Sequence, residues 1–212
     1  MKKIKLIDLV LIGSFVLSLY SLTWGGLVLQ PQSKLWLEGD STLHKYSSSA
    51  AQIQFTADSP SAAETGASLK VDEVVNRGLV KNLRVVVPVD QLRSGEKGLD
   101  KNMVKALKGA DYPNIVFKMD SYKIIVDTVP AKISATGTLS IAGVEKSITL
   151  NADVKSQDDR IIIDGKQPLL MTDFGIKPPT LMLGAIKVDN HITVKFHLEL
   201  EQAVDQQKVT TK

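Results

Sequence analysis

From Leu35 onward, apolar and polar positions alternate with a period of two, the pattern of strands with one buried face and one wet face. Ile115, Phe117 and Met119 alternate with Val116, Lys118 and Asp120. Ile133, Ala135, Gly137, Leu139 and Ile141 alternate with Ser134, Thr136, Thr138 and Ser140. Ile148, Leu150, Ala152 and Val154 alternate with Thr149, Asn151, Asp153 and Lys155. Near the end, Ile192, Val194, Phe196, Leu198 and Leu200 share one face, and His191, Thr193, Lys195, His197, Glu199 and Glu201 share the other. Further strands are predicted over Lys34–Gly39, Tyr46–Ala57, Leu79–Asp90 and Arg160–Met171. Ala142-Gly143 suits a tight hairpin, and Asp127 to Pro130, Gln157 to Asp159 and Asp189-Asn190 supply other reversals. Many antiparallel strands with one polar face predict an all-β fold, a sandwich or a closed barrel.

One helix interrupts this pattern. Asp100 suits its N-terminal cap, Leu99, Met103 and Leu107 lie on one side, and Gly109 ends it. Lying between two strands, it is placed to plug or lid one end of a barrel. Asp58 to Gly66 reads as a loop, and Leu69 to Asn76 fits helix or strand. The tail 203–212 is polar, and no internal repeat is visible.

The N-terminus departs from the rest. Lys2, Lys3 and Lys5 precede Leu9 to Leu29, a run of 21 residues without a charge. A basic start followed by an apolar run reads as a secretory signal over residues 1–25, cleaved near Thr23-Trp24-Gly25. About 20 apolar residues also span a bilayer as a helix, so an uncleaved anchor through residues 9–29 is the other reading. Either way the body, 26–202, is expected outside the cytoplasm: periplasmic or secreted if the segment is cut, tethered to the cytoplasmic membrane if not.

The formal net charge is +3. Losing residues 1–25 removes three lysines and Asp8 and leaves +1. That is too little to argue for nucleic acid. With 43% hydrophobic and 23% charged residues the chain has a globular rather than a disordered composition. It contains no cysteine, which excludes disulfide scaffolds, thiolate metal sites, cysteine nucleophiles and lipoprotein acylation.

Catalytic chemistry is sparse. His44, His191 and His197 are the only histidines. His191 and His197 are six residues apart on one strand, about 20 Å at strand rise, too far to share a metal, and they read as solvated. His44 is the one histidine a catalytic site could use, and it would need carboxylates brought to it in space. There is no Gly-x-Ser-x-Gly, His-Glu-x-x-His, phosphate loop or dinucleotide fingerprint. Asp173-Phe174-Gly175 matches a kinase triplet without any companion motif; Gly175 there suits a sharp turn. No catalytic residue, metal ligand or cofactor is assigned, and the chain is read as a non-enzyme.

Three stretches, with an opening motif, resemble the YceI-like family of exported lipid-binding proteins. Met103-Val104-Lys105-Ala106-Leu107 with Asp111-Tyr112-Pro113-Asn114-Ile115-Val116-Phe117 is similar to the family's helix, Tyr-Pro step and following strand. Gly137 to Leu150 resembles its hairpin, and Leu170-Met171-Thr172-Asp173-Phe174-Gly175-Ile176-Lys177-Pro178-Pro179 the segment before its closing strand. Gly39-Asp40-Ser41-Thr42-Leu43-His44 is similar to the opening motif, although Lys45-Tyr46 stands where many members carry Trp. The resemblance runs from about Leu35 to Gln202. It implies an eight-stranded antiparallel, lipocalin-like barrel whose elongated cavity holds an isoprenoid-type lipid, a polyisoprenoid or an isoprenoid quinone.

An eight-stranded barrel can be filled by its own side chains or hold one small ligand. Taken alone, the residues leave both open; the second fits the resemblance, the first an interaction module without ligand. The expected lining is Phe55, Ile115, Phe117, Met119, Ala135, Leu139, Ile148, Met171, Phe174 and Phe196. Small Ala135, Gly137 and Ala152 leave room, and Met adapts to a flexible chain. Thr172, Lys177 and Arg93 are candidates for a polar headgroup at the mouth. The oligomeric state is open.

Overall fold

The computed structural model describes residues 26–66, 69–125, 128–181, 183 and 185–203. The segment 1–25, read as a signal or anchor, and the tail from 204 onward lie outside the described residues; Leu27–Leu29, the end of the anchor helix expected over 9–29, form a strand paired with residues 200–202 instead. Twelve strands are present: β1 (Leu27–Leu29), β2 (Lys34–Ser41), β3 (Tyr46–Ala50), β4 (Gln54–Asp58), β5 (Lys81–Pro88), β6 (Leu92–Arg93), β7 (Asn114–Ile125), β8 (Ala131–Ile141), β9 (Val144–Gln157), β10 (Arg160–Leu170), β11 (Thr180–Leu181) and β12 (Ile186–Gln202). Three α-helices accompany them among the described residues: α1 (Ala62–Thr65), α2 (Val71–Asn76) and α3 (Lys97–Ala106).

All strands form one antiparallel sheet in the order β4-β5-β7-β8-β9-β10-β12-β2-β3-β6, and β1 and β11 also pair with β12. The sheet curls because β3 and β4 are two halves of one interrupted stretch. The first half pairs with β2, the second with β5, near opposite ends of the order. A bridge between Gly26 and Asp58 adds to the join. The result is an all-β, lipocalin-like barrel. Counting β1 with β2, and β3 with β4, as interrupted strands reduces the long strands to the expected eight, with β6 and β11 as short additions.

Several local expectations change. The strand over Tyr46–Ala57 breaks at Ala51–Ile53, where the chain passes from one partner strand to the other. Asp189-Asn190 is no reversal: β12 runs through it, with a register shift against β2 between Val188 and Ile192. Instead, the Asn190 side chain donates to Thr172 Oγ1 at 2.9 Å and accepts from Thr172 N at 3.0 Å. Leu79–Asp90 shortens to a strand ending at Pro88, followed by a 3-10 turn over Val89–Gln91. The Asp58–Gly66 loop contains α1, and the ambiguous Leu69–Asn76 contains α2. Ala142-Gly143 does form a two-residue hairpin, both residues with positive φ.

Helix α3 is capped differently from the expectation. Glu96 occupies the N-cap, while Asp100, inside the helix, accepts from Ser94 N at 2.7 Å and Ser94 Oγ at 2.6 Å. At the far end Lys108 takes the left-handed conformation, and Gly109 N closes the turn on Val104 O at 2.8 Å. A Cβ on Gly109 would sit 3.0 Å from both Val104 Cγ1 and Val89 Cγ1, so close packing is what requires glycine there.

The two ends of the barrel differ. At one end, Val71, Val74 and Val75 of α2 are buried against Leu27, Ala57, Val80, Val154, Ile161 and Leu200. Tyr122 Oη fastens this plug, donating to Val75 O at 2.9 Å and accepting from Val80 N at 3.3 Å. At the other end lie α3 and a 3-10 turn over Met171–Phe174, around Leu139, Ile141, Ala142, Phe174 and Ile176. No residue of α3 is fully buried.

On the outer wall, His197 is not simply solvated. Register places Asp164 of β10 directly across from it. Its Nδ1 lies 2.7 Å from Asp164 Oδ1 and its Nε2 3.2 Å from Glu199 Oε1. Arg160 pairs with Glu199 at 3.2 Å and with Glu201. The Asp164 carboxylate chiefly raises the His197 pKa; burial opposes it, and Glu199 adds to the rise. A raised folded-state value means this stabilisation is complete below the unfolded-state value, about 6.5, and disappears as pH rises through the folded-state value. Thermal unfolding from pH 5.5 to 8.5 is expected to show wild-type stability declining relative to His197→Gln as pH rises. Parallel profiles would remove the pair from the account.

Candidate functional site

Inside the barrel is a cavity of about 270 Å³. Its wall follows from strand parity: every second residue of each long strand turns inward. Leu35 and Leu37 come from β2, Leu83, Val85 and Val87 from β5, and Leu150, Ala152 and Ile163 from β9 and β10. All ten residues expected from the sequence stand on this wall: Phe55, Ile115, Phe117, Met119, Ala135, Leu139, Ile148, Met171, Phe174 and Phe196. The alternative of a barrel filled by its own side chains therefore does not hold.

Glycine and alanine explain the space. Gly165 of β10 lies directly across from Phe196 of β12, and a Cβ on Gly165 would meet the ring Cζ at 2.2 Å. Gly39 lies across from Tyr46, and its Cβ would meet the phenol Cζ and Oη at 2.3 Å. A Cβ on Gly137 would meet Phe117 Cζ at 2.7 Å and the Lys118 carbonyl oxygen at 2.2 Å. In each case an aromatic ring occupies the volume that a side chain on the glycine would take. The rings thus hug the wall, and Ala135 and Ala152 add further room.

Helix α3 contributes Leu99, Met103, Ala106 and Leu107 to the lining, in keeping with its expected place over one end. Phe174 is buried, and Gly175 turns the chain after it with φ 64°. That turn accounts for the Asp173-Phe174-Gly175 triplet; Asp173 itself pairs with Lys146 at 3.2 Å.

Among the described residues no charged one lines the cavity, and its polar members are Tyr46, Asn102 and Gln167. The sequence reading missed all three. Gln167 has the parity of Ile163 and Leu169, and Asn102 adjoins Met103 on the inner face of α3, so both carried a readable signal. Tyr46 begins a strand whose pairing changes midway. Of the headgroup candidates, none lines the cavity. Thr172 is bound to Asn190, Arg93 donates to the carbonyls of Asp90 and Leu92, and Lys177 is exposed.

Gln167 donates to Pro168 O at 3.1 Å. Among the described residues, the Tyr46 hydroxyl and the Asn102 amide have no hydrogen-bond partner. Burial, then the charges of Asp189 and Asp40, raise the Tyr46 pKa, which keeps the phenol protonated and able to donate.

His44 is exposed, its Nδ1 2.7 Å from Lys45 O, and no carboxylate pairs with it among the described residues. The spatial cluster that a catalytic His44 needs is not formed there. Among the described residues no group of three acidic or histidine side chains is placed to hold a metal.

A lipocalin-like barrel around a charge-free internal cavity is the class that fold and site define. Residues 37–200 match the family model of the YceI-like domain, and the chain belongs to that family. Among curated proteins, none matches by sequence. The fold is shared with solved structures. BcnA of Burkholderia cenocepacia superposes with a TM-score of 0.60 at 16% identity, covering 79% of this chain and 95% of that one. A polyisoprenoid binding domain from Saccharophagus degradans, implicated in plant cell wall breakdown, gives 0.58 at 13% identity, covering 84% and 98%. The YCEI protein of Campylobacter jejuni gives 0.54 at 18%, covering 74% and 85%.

Proposed function

We propose that this protein binds and carries an isoprenoid-type amphiphile, held in the barrel cavity outside the cytoplasm. The observation that carries this reading is a cavity in a barrel plugged at one end by α2 and walled, among the described residues, by apolar side chains without a charge. Burying hydrocarbon yields about 0.8 kcal/mol per CH₂, so a long chain gains strongly by entering such a space. Membership of the YceI-like family, and the polyisoprenoid-binding domain among the similar folds, support the choice of ligand. The ten lining residues would be its contacts. The function is binding rather than catalysis. Export rests on residues 1–25, as a cleaved signal or a retained anchor, with 26–202 as the binding domain. Among the described residues no helix is long and apolar enough to cross a membrane.

Native mass spectrometry of the full chain, exported by a bacterial host, with lipid extraction alongside, tests the reading. The expected result is a stoichiometric adduct with the mass of a polyprenyl lipid or isoprenoid quinone, regained after delipidation. An apo mass that does not change when such lipids are added would overturn it.

A further inference from the structure

Exposed apolar side chains mark both ends of the barrel, and charge tells the ends apart. We infer that the α3 end docks on the surface of an anionic lipid bilayer, with Leu43 and Leu183 entering its interfacial layer and the lysines of α3 lying over its headgroups.

The strands place these residues together. β2 runs from Lys34, opposite His197, to Ser41, opposite Val188, so Ser41 and Val188 lie far from Leu200 and the plug. Just beyond them come the β2–β3 loop with Leu43 and the β11–β12 turn with Leu183. Thr42 ties the two together. Its N donates to Lys187 O at 3.0 Å, and its Oγ1 donates to Ala185 O at 3.3 Å and accepts from Lys187 N at 3.1 Å. Leu43 is 65% exposed, and Leu183 is fully exposed. Leu183 also takes the left-handed conformation, φ 53°, which disfavours a bulky side chain. At the same end Tyr112, 44% exposed, packs over Gly143 in the β8–β9 hairpin. A phenol with one wet face suits the boundary between water and lipid.

Single exposed leucines are ordinary, and the plug end exposes Val28, Ile125 and Val129. Charge decides between the ends. Lys97, Lys101 and Lys105 recur every fourth residue on the face of α3 opposite Leu99, Met103 and Ala106, which line the cavity, and Lys108 follows just past the helix. All four lysines are exposed, and none pairs with a carboxylate among the described residues. The one acid within the helix, Asp100, is turned back to Ser94, and Glu96 and Asp111 flank it. Around the leucine loops the exposed Lys45, Lys177 and Lys187 outnumber Asp40 and Asp189. At the plug end exposed acids accompany the apolar residues: Glu73 on α2, and Asp158 and Asp159 in the turn after β9. A negatively charged headgroup layer therefore favours the α3 end. A small apolar insertion and a basic patch together hold a protein at a bilayer where one alone is marginal.

This inference rests on the carrier reading for why a membrane is met, and goes beyond it by naming the surface that meets it. β1 joins the barrel at the plug end, so docking does not run through residues 1–25. The exported full chain, loaded and delipidated, is floated with vesicles of phosphatidylcholine alone and of phosphatidylcholine mixed with phosphatidylglycerol. The wild type is expected on the mixed vesicles, and less of it as salt rises. Lys97→Gln, Lys101→Gln, Lys105→Gln and Lys108→Gln combined should weaken binding roughly 100-fold or more, each lysine being worth about fivefold near an anionic surface. Leu43→Ser with Leu183→Ser should weaken it roughly 10-fold. Val129→Ser, at the plug end, should leave it unchanged, and melting curves would show that all variants fold. Equal binding to both vesicles, or binding that survives both sets of substitutions, would overturn the inference, the latter tracing attachment to residues 1–25. A chain that holds prenyl lipid by mass spectrometry yet stays off the vesicles would overturn the inference and leave the carrier. A chain that docks as described yet never takes up prenyl lipid would keep the docking face and overturn the carrier reading.

Discussion

Gly137→Ala is expected to destabilise the barrel by about 3 kcal/mol, lowering the melting midpoint by roughly 6–12 °C. Its added methyl would lie 2.2 Å from the Lys118 carbonyl oxygen, which is backbone and cannot swing aside. Lys118 is clamped between Arg84 of β5 and Thr138 of β8, beside the register shift between Met119 and Ser121. Relief must come from moving strands. Gly165→Ala provides the contrast. Its methyl meets the far end of the Phe196 ring, which can tilt into the lumen. The stability loss should be nearer 1 kcal/mol, and the cost should appear as lost ligand capacity. Thermal melts of both variants, with lipid stoichiometry by mass spectrometry, separate the cases. Similar melting points for the two, or full lipid loading of Gly165→Ala, would contradict this account of the wall.

The second large effect is expected at Leu200. This side chain is 2% exposed and sits where Leu29 of β1 and Ile161 of β10 flank β12. It belongs to the same cluster as Val71, Val74 and Val75, so it joins the barrel wall to the plug. Leu200→Ala should cost about 4 kcal/mol, because packed neighbours cannot collapse into the space left behind. Leu198, two residues earlier, also lines the cavity but is only half-buried. Truncating a half-buried side chain gives up less buried surface and fewer packed contacts, so Leu198→Ala should cost about half as much. Urea unfolding of the two variants makes the comparison, and equal losses would show that the plugged end is packed no better than the lumen.

Strand parity makes the wall legible in the sequence. Residues such as Ile115, Phe117, Met119 and Phe196 declared their face by alternation, and closure of the sheet turned that face into a lumen. What alternation along one strand cannot show is which residue lies opposite. The approach of Asp164 to His197 depends on the register between β10 and β12, and the seating of Phe196 over Gly165 depends on the same pairing. The break at Ala51–Ile53 has a similar origin: the segment reads as continuous strand, and only barrel closure assigns its halves to different partners. Thr172, Lys177 and Arg93 were reasonable headgroup candidates by chemistry alone. The structure directs them outward or to backbone carbonyls and leaves neutral groups inside.

The unequal ends of the barrel set an order of events for any long ligand. With α2 wedged in by three buried valines and tied down by Tyr122, and α3 resting without one fully buried residue, the molecule is a blind tube. On the carrier reading, cargo enters tail first and leaves head first through the same opening. Donor and acceptor must then meet the same face of the protein in turn.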